Sequence, residues 1–212
     1  MIGKFKLFLA KACLLLTLIS LCIVLVVNAV PLYHAVLVGT NTLAKHSLSW
    51  AEVAHDYRHL LLYLQLPWVH SLHFENFTLS PAGRLHFYEV KQWLLLNEGI
   101  LLVTGMMSLR FLGRMHRLRK IWQLQATLYW WRWLPFPILC LMGMNFNRFF
   151  VWFHHLLFRD KTWIFNPQTD SIILVLPPVF FLSCFLLFFV LYELCITGII
   201  RLGKRELKGG RG

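Results

Sequence analysis

Long apolar runs alternate with polar intervals along this chain. The first run extends from about Leu7 to Val30, interrupted only by Lys11, a few small polar residues and Asn28. Further runs cover about Gln92–Leu109, Leu134–Trp152 and Pro178–Ile200. A helix of roughly 17–25 apolar residues spans a bilayer, so the pattern predicts an all-α integral membrane protein with four transmembrane helices at residues 7–30, 92–109, 134–152 and 178–200. Residues 31–91 are mixed, with Glu52, Asp56, Glu75 and Glu89 among clustered aromatics and histidines. Within them Ser49-Trp50-Ala51-Glu52 has the form of a capping box, in which the Ser oxygen and the Glu carboxylate satisfy free N–H groups at a helix start. From Val53 to Leu64, Tyr57, Leu60, Leu61 and Leu64 recur at helical spacing. This stretch is too polar to span and too apolar to float free, so it reads as a cap on the membrane surface. A second polar interval, 153–177, holds His154, His155, Asp160, Trp163 and Asp170.

Composition agrees with lipid as the solvent. The 212 residues are 58% hydrophobic and 14% charged, against about 25% charged in soluble domains. The length suits a single membrane domain. A net charge of +12 raises the possibility of nucleic-acid binding, but the charge is placed in three blocks that flank apolar runs. These are Lys4, Lys6 and Lys11; Arg110, Arg114, Arg117, Arg119 and Lys120; and Arg201, Lys204, Arg205, Lys208 and Arg211. Blocks so placed retain cytoplasmic loops during insertion; no basic face on a folded module is visible, and nucleic acid is excluded as a partner. Both termini, the 110–133 loop and the 201–212 tail are therefore expected in the cytoplasm, with 31–91 and 153–177 outside. Tyr129-Trp130-Trp131-Arg132-Trp133 reads as an aromatic belt at the inner headgroups. The first run exceeds the usual 7–15 apolar residues of a signal peptide and reads as an uncleaved helix. Leu21 before Cys22 is too large for a lipobox. The five cysteines lie in apolar runs without metal-like spacing.

Nine of the ten histidines fall in the two outside intervals, His116 being the exception. Histidine alone exchanges protons near neutral pH at its ordinary pKa. Two histidines from different intervals can therefore form an acid–base pair, while the plain alternative is that each is amphipathic surface filling. The pairs His55/His59 and His70/His73 have helical spacing suited to a metal, but neither carries the Glu of a zinc-protease helix. No metal or cofactor is expected. No Gly-rich phosphate loop or serine nucleophile elbow is present.

The motifs Phe153-His154-His155-Leu156-Leu157-Phe158, Trp163-Ile164-Phe165-Asn166-Pro167, Asp170-Ser171-Ile172-Ile173, Leu176-Pro177 and Phe180-Phe181 resemble the second external segment of the bacterial lipoprotein intramolecular transacylases (Lit). Upstream, His86-Phe87-Tyr88-Glu89-Val90-Lys91 resembles the family's His-Met-x-Asp-Val-Lys. Tyr57-Arg58-His59 with Tyr63-Leu64 resembles its Tyr-Asn…Tyr-Leu element. Arg58, Asn166 and Glu89 stand where the family pattern has Asn, Asp and Asp. In the doublet, His154 aligns with the motif histidine.

The resemblance implies a multi-pass protein of the bacterial cytoplasmic membrane whose active site faces outward. It also implies transfer of the sn-2 acyl chain of a diacylated lipoprotein to the α-amine of that lipoprotein's N-terminal cysteine. His86 and His154 are then expected to share the two proton transfers. Tyr57, Phe87, Tyr88, Phe153 and Trp163 are candidates for an aromatic substrate pocket, each with interfacial anchoring as its alternative. Arg84 and Lys91 are candidates to hold a carbonyl or the oxyanion, or to meet lipid headgroups. Asp170 is a candidate to orient a His or Arg, or to make a structural hydrogen bond. A monomer in contact with membrane lipid is expected. The competing readings are a non-catalytic membrane protein whose cap binds lipid or a partner, and a histidine–metal membrane hydrolase.

Overall fold

In the computed structural model, which describes residues 3–209, the regular structure is helical. In order it runs α1 (Lys4–Val27), α2 (Val30–Gly39), α3 (Thr42–Lys45), α4 (Trp50–Gln65), α5 (Pro81–Arg117), α6 (Gln125–Trp131), α7 (Phe136–Met144), α8 (Phe146–Leu157) and α9 (Pro178–Gly209). Short 3₁₀ turns at Ile121–Leu124 and Ser171–Val175 precede α6 and α9. Arg211, counted above in the last basic block, lies outside the described residues.

Among the described residues, three helices are long and apolar enough to cross a membrane: α1, α5 and α9. They carry the first, second and fourth apolar runs. Their outer apolar side chains are bare, Leu109 being 74% and Leu194 62% exposed, as lipid-facing residues are. The third run departs from the expectation of one spanning helix. It is divided between α7, of 9 residues, and α8, of 12. Asn145 divides it: its backbone is extended and its side chain accepts a hydrogen bond from the Arg148 N–H, 3.0 Å away, capping the new helix. The expected cytoplasmic loop 110–133 is also largely helical, since α5 runs on to Arg117 and α6 begins at Gln125.

The chain packs as two compact units. One comprises α1 up to Val24, Glu98–Met144 and α9 from Leu187 onward; the other comprises Leu25–Asn97 and Asn145–Leu186. In the first, Leu14, Leu18 and Cys22 pack with Phe111, Met115, Ile121, Leu124, Leu128, Tyr192, Ile196 and Ile200. Hydroxyls assist where helices meet within lipid: Thr17 Oγ1 is 2.9 Å from Ser108 Oγ and donates to Thr104 Oγ1 at 3.1 Å. Gly203 permits a close approach, because a Cβ there would lie 3.0 Å from the Trp122 backbone. Glu206 receives the Ile121 N–H at 2.9 Å and lies 2.8 Å from His116 Nδ1.

The second unit holds the residues of interest around an aromatic and aliphatic core. Tyr33 stacks on Tyr57 with ring centroids 3.8 Å apart, meets the edge of Phe180 at 5.0 Å, and donates its hydroxyl to the Val175 carbonyl. The capping box forms as expected: Ser49 Oγ accepts from the Glu52 N–H and Glu52 Oε2 accepts from the Ser49 N–H. α4 buries Val53, Asp56, Tyr57, Leu60, Tyr63 and Leu64 on one face. Asp56 is fully buried, and its oxygens accept the N–H groups of Glu75 (3.0 Å) and Asn76 (2.8 Å).

The start of α5 is similarly fastened. Ser80 caps the helix, its Oγ accepting from the Gly83 N–H, with Pro81 in the first turn. The Ser80 N–H donates to Asp170 Oδ1 at 2.8 Å, and Thr78 N–H donates to Ser171 Oγ at 2.8 Å. Burial alone raises the pKa of both Asp56 and Asp170. Hydrogen bonds from Glu75 and Asn76 to the first, and from Ser80 and Thr169 to the second, outweigh it and hold both below the ordinary aspartate value.

Two outcomes follow. A Cβ at Gly83 would lie 2.5 Å from Asp170 Oδ1 and 2.6 Å from Leu79 Cδ1, so Gly83→Ala should cost on the order of 1–3 kcal/mol by overpacking, read as a lowered unfolding midpoint in detergent. Because both carboxylates have depressed folded pKa values, the stability they supply is complete above the unfolded value of about 4. It should be lost as pH falls through the folded values; an unfolding midpoint unchanged down to pH 2 would refute this.

Candidate active site

α5 and α8 bring two buried histidines together. His86 is one turn into the buried face of α5, and His154 is in the last turn of α8. Their ring centroids are 5.9 Å apart, at 7% and 9% exposure. The surroundings are aromatic. His86 meets Phe158 at 4.6 Å, Phe165 at 5.5 Å and Phe87 at 5.9 Å. His154 meets Phe150 at 4.1 Å, Trp163 at 4.9 Å, Phe158 at 5.7 Å and Phe153 at 5.8 Å.

The tautomer of His154 follows from its partner. Nδ1 lies 2.8 Å from the Phe150 carbonyl oxygen, which can only accept, so Nδ1 carries the hydrogen and Nε2 presents a lone pair. Burial drives the His154 pKa below the usual imidazole value; the Phe150 hydrogen bond opposes this and neighbouring His155 adds to it. The ring is therefore neutral at neutral pH. His86 Nδ1 and Trp163 Nε1 are buried polar atoms without a hydrogen-bond partner among the described residues. A third tie binds the 153–177 interval to α5: Thr162 Oγ1 donates to Glu89 Oε2 at 3.1 Å, one helical turn beyond His86.

The other candidates divide. Phe87, Phe153 and Trp163 are in ring contact with the histidine pair. Tyr57 stacks in the aromatic core on Tyr33. Tyr88 is 52% exposed. Arg84 Nη1 donates to the Leu72 carbonyl at 3.0 Å and helps line a cavity of about 220 Å³ with His73, Phe74 and Thr78. Two residues from His86, it projects from another face of the helix. Lys91 Nζ donates to the Leu66 and Val69 carbonyls and lies over the Tyr63 ring at 4.5 Å. Asp170 receives Ser80 and Thr169, so of its two expected roles the structural hydrogen bond is the one made.

Sequence reasoning did not single out Phe150, Phe158, Phe165 or Glu89 as site residues. Phe158 and Phe165 belong to the quoted motifs, and Glu89 lies three residues after His86, on the same helical face. As for metals, the His55 and His59 rings are 4.4 Å apart, but the Asp56 oxygens beside them are taken up by backbone N–H groups. No group of three or more potential ligands is assembled among the described residues.

The sequence profile described as lipoprotein intramolecular transacylase Lit matches residues 8–181. The chain belongs to this family. Its fold is similar to that of the membrane-integral lipoprotein intramolecular transacylase Lit from Bacillus cereus, with a TM-score of 0.88 at 23% identity over 96% of this chain and 95% of that one. Two structures of the Bacillus cereus protein with one histidine replaced, by arginine or by alanine, match with a TM-score of 0.83 at 23% identity. They cover 96% of this chain and 91% and 93% of theirs. No curated protein sequence matches significantly. This chain is thus a transmembrane protein of the Lit family with its two motif histidines side by side.

A depressed His154 pKa has a measurable consequence. The unfolded chain takes up this proton near pH 6.5 while the folded chain resists, so stability falls as pH drops below that value. The unfolding midpoint should decline between pH 7 and pH 5, with a shallower slope in His154→Asn; equal slopes in both proteins would refute the assignment.

Proposed function

We propose that this chain moves the sn-2 acyl chain of a diacylglyceryl-cysteine lipoprotein onto the α-amine of the same cysteine, giving an N-acyl, lyso-form lipoprotein. Membership of the Lit family supports the reaction class, and the observation that carries the roles is the 5.9 Å pairing of His86 with His154 inside an aromatic shell.

In this reading a nitrogen–carbon bond forms as the ester carbon–oxygen bond breaks, and one proton passes from the amine to the glyceryl oxygen. His154 is suited to take that proton, since its Nε2 lone pair is available and its neutral form dominates. His86 is neutral as well, its pKa lowered to about 4 by burial and by His154, so the proton that the pair hands to the departing oxygen is the one taken from the amine. Amine and ester belong to one molecule, so the protein need only hold the substrate in a reactive geometry. Phe87, Phe153 and Trp163 would do so at the pair, while Tyr57, Tyr88, Arg84, Lys91 and Asp170 would support the walls and rims.

The same reading places the chain in a bacterial cytoplasmic membrane. Its three basic blocks would lie inside and residues 31–91 and 153–177 outside. Residues 134–152 would make the return passage between α5 and α9, completing four crossings.

The deciding experiment expresses the chain in a host lacking N-acylation and fragments a lipoprotein's N-terminal peptide by mass spectrometry. One acyl chain should move from glycerol to the amine at unchanged total mass. His86→Asn and His154→Asn should each slow conversion by about 10²–10⁴-fold while remaining folded; full activity in both would overturn the pair.

A further inference from the structure

The two unpartnered polar atoms beside the histidines differ in chemistry. An imidazole nitrogen donates or accepts according to its tautomer, whereas the indole N–H of Trp163 can only donate. A buried donor left unmatched costs on the order of 1–3 kcal/mol. The fold nevertheless keeps Trp163 in place, its ring 4.9 Å from His154 and 5.4 Å from His155. The preceding residue, Thr162, is tied to Glu89 on the helix that carries His86.

The cations near His86 in sequence do not supply such a donor. Lys91 is committed to two backbone carbonyls and the Tyr63 ring. Arg84 serves the Leu72 carbonyl and a separate cavity. Among the described residues this leaves the indole as the sheltered, unmatched donor beside the proton-transfer pair.

We propose that Trp163 Nε1–H donates to the ester carbonyl oxygen as the tetrahedral intermediate forms, an assignment that rests on the transacylase reading. As the amine nitrogen bonds to the carbonyl carbon, the π pair moves onto the oxygen facing the indole. It returns to carbon as the bond to the glyceryl oxygen breaks, and the amine proton leaves through the histidines. Trp163 stays protonated throughout. An N–H held in place among buried aromatic rings stabilises this oxygen more than a mobile donor does, because it needs no reorganisation as charge develops. Nε1 is covered, so the ester reaches it only by displacing side chains packed around it, which restricts the bond to a seated substrate.

The test replaces Trp163 with 3-benzothienylalanine, which keeps the shape of indole but has sulfur in place of N–H, and separately with Phe. Purified full-length chain in lipid vesicles is given a synthetic diacylated lipopeptide with a free α-amine. The isostere should lower kcat by about 10²–10³-fold with KM, unfolding midpoint and the pH profile of kcat unchanged, and Trp163→Phe should lose at least as much. Wild-type kcat in the isostere overturns the donor. So does a loss that comes with a shifted pH profile, since the indole would then act by setting the environment of His154. A wild-type chain that leaves the lipopeptide's amine unacylated overturns the transacylase reading together with the donor.

Discussion

One buried carboxylate, Asp170, joins two stretches of sequence on which the site depends. Its oxygen accepts the Ser80 N–H just before α5 begins, and neighbouring Ser171 exchanges hydrogen bonds with Thr78. Those bonds fasten the segment bearing Trp163 to the helix bearing His86. Further along, Thr162 and Glu89 repeat the fastening one turn past His86. Asp56 does comparable work for the strand-free loop after α4, accepting two successive N–H groups. A carboxylate that accepts backbone N–H groups fixes loop geometry more firmly than apolar contact does, since each bond has a direction.

Within that frame the histidine pair needs no ionised partner. Aromatic rings cover both imidazoles, and the Phe150 carbonyl fixes the His154 tautomer. A carboxylate in this position would favour imidazolium, raising the pKa and lowering the fraction of the ring that is neutral at pH 7. Phenyl and indole rings exclude water without introducing charge, which suits the proposed exchange of an acyl group from oxygen to nitrogen against a proton from nitrogen to oxygen.

Much of this was legible in the sequence where the signal is local. The capping box at Ser49, the register of α4 and the three helices long and apolar enough to cross a membrane follow from caps, spacing and the length of apolar runs. The histidine pair was reached through motif resemblance, because two residues on different helices leave no local trace of their contact. The third run divides for a reason of degree: mean apolarity survives Asn145, Asn147 and Arg148, but Asn145 has a side chain able to satisfy a new helix start, and α8 begins there. The partners of Arg84 and Lys91 were not legible for a different reason. Charge identifies a donor but not its acceptor, and the carbonyls they bind are in the irregular stretch Leu66–Leu72, whose path periodicity does not describe. Asp170 was named as a site candidate from its motif, and the backbone N–H it accepts, that of Ser80, is 90 residues away in sequence.

His86 shares an unbroken helix of 37 residues with the apolar stretch that follows it. Such a helix is about 55 Å long, well beyond the roughly 30 Å of bilayer hydrocarbon. Within the outer turns of α5, the bearing of His86 and of Glu89 is set by the helix's own count. One residue lost between His86 and Glu89 would turn one from the other by about 100° and shift it by about 1.5 Å along the axis, parting the histidine from the residue that Thr162 holds. For drift along this family, α5 should consequently accept changes of residue type far more readily than changes of length.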